Sequence, residues 1–435
     1  MHVPDFKHHP QISRLDPLPG ELRAVGPNAA PTTGLAERTA IWLTYAAALY
    51  PLFLCFLNTR VARMPNAAII ICEVLIGLAA LPVVAARLNL GILLMTVGLC
   101  ANFFFLALIQ QATDFKALRD LLMPIVFVWL GYFLSNRRLS ERVLRNLAII
   151  AVVLGVLEYF FPKLYSSIFD SIAFYTSRGF GASNPFQLTV LQVRPEGIGR
   201  SLLPFLGPRR MSSLFLEPVA LGNFGVLTAA WALSKPRGEW REAAWLMGLA
   251  GLMVVLADAR FGFISILILI AVRATGFWKL RSIAVLMPFA AMLMLVLVTW
   301  LGPRELHDNI IGRFQISGRN LIGMPWTAWL GIPDVISMDA GYGYIIQRSG
   351  IVICALLWFI FAMLPLKDDQ GRQFHFSVAI YACLNLCISG SSLFSLKTTA
   401  ILWLLLGTVI AHRSMFERLR VARIHVAMPK GKLSA

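Results

Sequence analysis

The chain has 435 residues, of which 58% are hydrophobic and 14% charged, and its mean hydropathy is +0.71. Soluble domains are nearer half apolar and about a quarter charged, so this composition excludes a soluble enzyme, a disordered chain, a collagen and a coiled coil. The formal charge of +17, from 39 Lys and Arg against 22 Asp and Glu, would suggest nucleic acid in a soluble protein. In a polytopic membrane protein it reads as basic cytoplasmic loops, and no nucleic-acid partner is expected.

Residues 1–40 are polar and rich in proline (Pro4, Pro10, Pro17, Pro19, Pro27, Pro31), with no apolar core of the kind a signal peptide carries. They read as a disordered cytoplasmic tail. The first apolar run starts near Ile41. From there twelve candidate spans follow: 41–57, 67–86, 90–109, 118–134, 144–162, 214–233, 243–258, 261–277, 282–301, 343–366, 374–390 and 398–412. Each is bounded by charges, Pro or Asn. The expected fold is an all-α polytopic membrane protein of about 12 transmembrane helices, with a membrane domain over 41–412 and a basic cytoplasmic tail over 413–435.

Positive charge sets the orientation. With the N-terminus inside, the inner loops carry Arg87; Arg137, Arg138, Arg142 and Arg145; Lys235, Arg237 and Arg241; Arg273, Lys279 and Arg281; and Lys367 and Arg372. This matches the excess of Lys and Arg in cytoplasmic loops and predicts both termini inside. Two connections are too long for ordinary links, and both fall outside: 163–213 and 302–342. They are rich in aromatics and glycine, which favours ordered structure.

The outer side nonetheless holds many arginines. The first long loop has Arg178, Arg194, Arg200, Arg209 and Arg210, and the second has Arg304, Arg313 and Arg319. Arg348 follows the second loop, and Arg260 sits at an outer boundary in Ala257-Asp258-Ala259-Arg260-Phe261-Gly262. A guanidinium is a planar, permanently charged fork matched to phosphate oxygens, so the set suggests a phosphate or diphosphate ligand. The alternative is contact with lipid head groups.

Arg209-Arg210-Met211-Ser212-Ser213-Leu214-Phe215-Leu216-Glu217-Pro218 is the sharpest local feature. Glu217 precedes a proline suited to a helix's first turn, so it reads either as a cap or arginine partner, or as a base or ligand contact. The second loop runs through Ser317-Gly318-Arg319-Asn320, Trp326, Trp329, Gly331, Asp339-Ala340-Gly341-Tyr342 and on to Gly350. Its aromatics read as interfacial anchors or as sugar-stacking platforms. Of the histidines only His307 lies in an outer loop, and no zinc spacing, P-loop or nucleophile elbow occurs. The six cysteines all fall in apolar runs and read as packing residues. Glu73 and Glu158 lie within or near spans, with no basic partner evident in neighbouring spans, which is weak support for a transporter.

Three of these stretches, Arg210 to Asn223, the stretch ending at Arg260, and Ser317 through Gly350, resemble the bacterial O-antigen polymerase/O-antigen ligase superfamily in order and spacing. Within it the chain is most similar to xanthan-type exopolysaccharide polymerases, over roughly residues 40–412. The resemblance implies a membrane glycosyltransferase fold in the bacterial inner membrane. It implies an undecaprenyl-diphosphate-linked oligosaccharide donor, a growing polysaccharide as acceptor, and no metal or other cofactor. Arg210, Arg260 and Arg319 would contact the diphosphate, and Glu217 or Asp339 would act as general base. Arg313, Trp326, Tyr342 and His307 would line the substrate path. A flippase and a chain-length regulator would be partners. Ligases of the superfamily carry a histidine where this sequence reads Asp339-Ala340-Gly341-Tyr342, which favours a polymerase over a ligase. A lipid-linked glycan transporter is the reading from another class.

Overall fold

The computed structural model describes residues 34–85, 90–111, 113–134, 136–179, 202–303, 310–333, 340–364, 366, 368–389 and 392–410. Within these the chain is helical. In a lipid setting this is what apolar runs require, because every backbone N–H and C=O must find its partner inside the segment. The helices are α1 (Leu35–Arg60), α2 (Asn66–Ala85), α3 (Leu90–Gln110), α4 (Phe115–Leu134), α5 (Arg137–Phe160), α6 (Pro162–Ile168), α7 (Ser171–Ser177), α8 (Pro218–Ser234), α9 (Trp240–Ala257) and α10 (Arg260–Thr275). They continue with α11 (Arg281–Leu301), α12 (Ile310–Gly323), the single turn α13 (Trp326–Trp329), α14 (Gly341–Ser349), α15 (Ile351–Ala362), α16 (Asp369–Leu386) and α17 (Leu396–Ile410).

Among the described residues, seven helices are long and apolar enough to cross a membrane: α1 to α5, α9 with the turn before it, and α11. The pair α14 and α15 raises this to eight if it is one bent span. Several of the twelve expected runs therefore do not stand as such spans. The run 343–366 is broken at Gly350, where φ is +78° and the two helices are bent by 109°. Only glycine adopts that backbone without strain. The run 214–233 begins as a helix only at Pro218, after a tight turn at Ser213–Phe215. The first helix starts at Leu35, inside the stretch expected to be tail.

Two helices form the centre. Nearly every residue of α8 is buried, with Trp231 and Phe224 fully enclosed. Most of α16 is buried too, and Trp231 meets Phe374 edge to face at 4.9 Å. Because α16 faces protein, it holds Gln373, His375, Ser377 and Asn385 in its interior, so the run expected at 374–390 is less apolar than the membrane-length helices and starts earlier, at Asp369. The periphery is the reverse. α2, α3 and α11 expose Ile70, Leu75, Leu94, Phe104, Leu286 and Leu293, the pattern of lipid-facing helices.

Small residues allow close helix contacts. A Cβ at Gly131 of α4 would lie 2.0 Å from the Leu404 carbonyl, and one at Gly407 of α17 would lie 1.9 Å from the Val128 carbonyl. The pair works as a reciprocal notch, the way small residues join helices in membranes. At one end of the bundle, α12 folds back along the final turns of α11. There a Cβ at Gly318 would meet Thr299 Oγ1 at 2.0 Å and the Leu295 carbonyl at 2.4 Å.

Candidate functional site

The end of the bundle where α1 passes to α2 also gathers the ends of α3, α5, α9, α11 and α16 and the starts of α4, α8, α10 and α17. Cross-links between these elements place them together. Gln110 donates to the Gly331 carbonyl, Asn102 to the Ser349 carbonyl at 3.3 Å, and Asn66 to the Arg178 carbonyl at 3.2 Å.

The segment before α8 is strained and firmly held. Ser213 and Leu216 both have positive φ, at 53° and 61°. For a bulky residue such as Leu216 this is a true outlier, costing on the order of 1 kcal/mol or more. A fully buried carboxylate, Glu158, compensates. It accepts the Ser212 N–H at 2.8 Å, the Ser213 N–H at 2.7 Å and the Ser212 hydroxyl at 3.0 Å. Tyr165 donates to the Ser213 carbonyl at 2.6 Å. Burial pushes the Tyr165 phenol upward, so it stays a donor.

Glu217 occupies the N-cap position of α8, yet its side chain makes no cap hydrogen bond. It faces Lys397 at the start of α17, 2.9 Å away, and accepts the Tyr175 hydroxyl at 2.7 Å. Lys397 also donates to the Phe215 carbonyl at 3.1 Å. Burial pulls the Glu217 pKa up, but Lys397 and Tyr175 outweigh it and hold the carboxyl below its ordinary range. The Glu217 side chain is 35% exposed, so it is reachable from outside.

The structure brings two of the expected arginines to one turn. Arg210 donates through Nε to the Ala257 carbonyl at 3.1 Å, at the end of α9. Arg260 opens α10 three residues later, half-buried. Between them Asp258 adopts a left-handed conformation and accepts the Leu202 N–H at 3.0 Å. α8 packs directly on this turn, since a Cβ at Gly222 would lie 2.3 Å from that of Ala259. Arg210, Arg260 and Glu217 thus belong to one corner.

The second-loop residues stand on other elements. Arg313 and Arg319 lie on the exposed face of α12, and Trp326 is 73% exposed. Asn320 meets α14, where a Cβ at Gly343 would lie 2.1 Å from Asn320 Oδ1. Tyr342 is buried and donates to the Cys383 carbonyl at 3.3 Å, which ties α14 to α16. His307 and Asp339 lie outside the described residues.

A third group went unrecognised in the sequence. Glu73 has a basic partner after all: it forms an ion pair with Arg119 and accepts the Tyr50 hydroxyl at 2.6 Å. Arg119 also contacts Asp120 at 2.6 Å, and Tyr344 donates to the other Asp120 oxygen at 2.7 Å. Arg348 lies over the Tyr344 ring at 4.2 Å, pairs with Asp114 at 3.0 Å, and is only 6% exposed. Arg348 is therefore committed to a buried network rather than displayed to solvent. Lys397 and Tyr175 were missed as well. The only trace of the lysine in sequence is a lone cation opening an apolar run after a serine-rich stretch.

No family model, curated protein or solved structure matches the chain.

Proposed function

We propose that the chain is a polysaccharide polymerase of the O-antigen polymerase type. It joins oligosaccharide repeat units carried on undecaprenyl diphosphate at the outer face of a bacterial inner membrane. The observation that carries this reading is the corner where Arg210 and Arg260 flank the α9–α10 turn beside the Lys397-held Glu217. In this reading the bundle crosses the membrane twelve times, with α14 and α15 as one bent crossing, and the arginine corner faces outward.

The chemistry follows from charge. An acceptor hydroxyl attacks the anomeric carbon, a new C–O bond forms, and the bond to the diphosphate breaks with its electron pair. Arg210 and Arg260, with Arg319 from α12, offset the negative charge that develops on the leaving group. The hydroxyl proton passes to a carboxylate, Glu217 or Asp339. Glu217 is ionised at neutral pH, as a base must be, while Lys397 keeps it a weak one. A polyprenyl-diphosphate donor needs no nucleotide.

Reconstitution with lipid-linked repeat units, extracted from cells lacking the protein, tests the reading. A ladder of products spaced by whole repeats is expected, and Arg260→Ala and Arg319→Ala should shorten or abolish it. Full-length polymer from those variants at normal protein level would remove the arginines from the site. The buried ion pairs of Glu73, Arg119, Asp120 and Arg348 favour a second reading, transport of lipid-linked glycans. Movement of labelled lipid across vesicles without any new glycosidic bond would support that instead. Transfer of polymer to a lipid core would point to a ligase.

A further inference from the structure

The opposite end of the bundle holds a cleft of about 930 Å³ between the starts of α1, α5 and α16, the end of α4, and the turn into α9. One wall is basic. Arg138, Arg142 and Arg145 recur at helical spacing along the first turns of α5, and all three are exposed. None of the three forms an ion pair among the described residues. Their neighbour Arg137 is already committed to Asp368 and Gln370.

The other wall is acidic. Glu239 and Glu242 stand at the turn into α9, and Glu141 joins them from α5. Lys235 binds all three through one ammonium, at 2.7, 2.8 and 2.8 Å. An ammonium has three N–H donors, so the tripod is geometrically complete, yet three carboxylates on one cation leave a formal excess of two negative charges. Glu239 and Glu242 remain 50% and 59% exposed. The cleft, with Glu37 of α1 as a fourth acid, is close to neutral in sum, and its exposed guanidinium groups stand on α5 while its two most exposed carboxylates stand at the turn into α9. Such a surface complements neither a simple anion nor a simple cation, but a ligand that is itself a dipole.

Its depth is also marked. The cleft sits where α1, α4, α5 and α9 begin or end, at the boundary of membrane-length helices. Trp240 and Trp245 beside it are 63% and 58% exposed, as is usual for aromatics at head-group level, and Arg241 lies over the Trp240 ring at 5.6 Å.

We propose that this cleft binds a phospholipid head group that joins a phosphodiester to a primary ammonium. Arg138, Arg142 and Arg145 take the phosphate oxygens, and the exposed oxygens of Glu239 and Glu242 take the ammonium. Guanidinium forks suit the phosphate, and carboxylates accept the N–H donors that a quaternary ammonium lacks.

Native mass spectrometry of the full chain, offered phosphatidylethanolamine, phosphatidylcholine and phosphatidylglycerol in equal amounts, tests this. Phosphatidylethanolamine should be retained about fivefold over each of the others. Arg142→Ala/Arg145→Ala should abolish its retention, and Glu242→Gln should erase its advantage over phosphatidylcholine. Arg142→Lys, which keeps the charge but loses the fork, serves if the double variant fails to fold, and should weaken retention by a smaller factor. Equal or greater retention of phosphatidylglycerol would mean an ordinary basic patch and overturn the proposal. Retention unchanged in the arginine variants would place the lipid elsewhere. Displacement by soluble O-phosphoethanolamine at matched concentration would overturn the lipid assignment in favour of a free phosphate ester.

Discussion

Lys397 and Glu217 meet at 2.9 Å although they open two different helices, α17 and α8. Neither is held by its own helix. The Glu217 side chain leaves its cap position unserved, and Lys397 divides its donors between that carboxylate and the Phe215 carbonyl. The pair pins the entry of the central helix to the entry of the last one, beside the arginine corner.

Removing the lysine should therefore disturb chemistry as well as shape. If the chain polymerises lipid-linked repeats as proposed, Lys397→Met is expected to lower polymer yield about tenfold or more, the scale seen when one positioned charged donor is lost. Lys397→Arg should restore part of it. Product ladders from reconstituted protein, compared at equal folded amount, give the answer. Yield unchanged by Lys397→Met would make the pair a structural strut only.

Glu158 supports a different prediction. Its two oxygens receive three donors from Ser212 and Ser213 at zero exposure. In Glu158→Met no acceptor remains, and the buried Ser212 and Ser213 N–H groups both lose their partner. A loss of about 2 kcal/mol is expected. Thermal unfolding in detergent reads this, and proteolysis at residues 209–217 should speed up in the variant. Full stability of Glu158→Met would mean that the strained turn holds itself.

The notch between α4 and α17 allows no added methyl. Gly131→Ala and Gly407→Ala each push a Cβ onto a carbonyl oxygen of the facing helix. Each should cost roughly 1–3 kcal/mol, the scale of overpacking. Because both act on one contact, the double variant should fall short of the sum of the two singles. Melting temperatures of the three proteins check this, and strict additivity would show that the two glycines do not share a contact.

The ion pairs outside the long helices fix the pH response. For Glu217, burial works against ionisation, but Lys397 and Tyr175 prevail and the folded pKa lies below the ordinary carboxylate value of about 4.3. Its stabilisation is present above that value and is lost as pH falls through the lower, folded one. For Lys235, burial favours the neutral amine, but the hydrogen bonds to Glu141, Glu239 and Glu242 prevail and raise its pKa. That stabilisation is present below the ordinary lysine value of about 10.4 and fades as pH rises through the folded value. Melting temperature against pH should fall at both extremes. Glu217→Gln should flatten the acid limb, and Lys235→Met should remove the alkaline limb while also reshaping the acid one, because Lys235 holds Glu242 below its ordinary range.

The helices facing lipid were legible in the sequence, because there the solvent dictates composition. α2, α3 and α11 are apolar over nearly all of their surface, Glu73 of α2 being turned inward, and their limits follow the hydropathy closely. Central helices were harder to delimit. α16 carries Gln373, His375 and Asn385 among protein neighbours, so hydropathy alone understates it. Gly350 was visible as a glycine within an apolar run, but its tertiary partner was not: it packs against Gly331, where a Cβ would lie 2.9 Å from the Gly350 nitrogen. In the candidate site, Arg210, Arg260 and Glu217 could be named from local motifs. Their partners Lys397 and Tyr175 come from distant segments, and no local pattern encodes which cation meets which carboxylate. The same holds for Glu73, whose partner Arg119 sits two helices later.

The bend at Gly350 also sets a direction. With α15 running along the membrane normal, a 109° turn lays α14 nearly flat in the plane of the bilayer. Tyr342, Tyr344 and Arg348 then sit side by side at similar depth instead of one above another. α14, buried over nearly its whole length, becomes a crosspiece inside the bundle. If the chain acts as proposed, such a crosspiece would hold the buried tyrosines and Arg348 at one level, so that a donor tethered in the leaflet could be met from the side with its tails still in the bilayer.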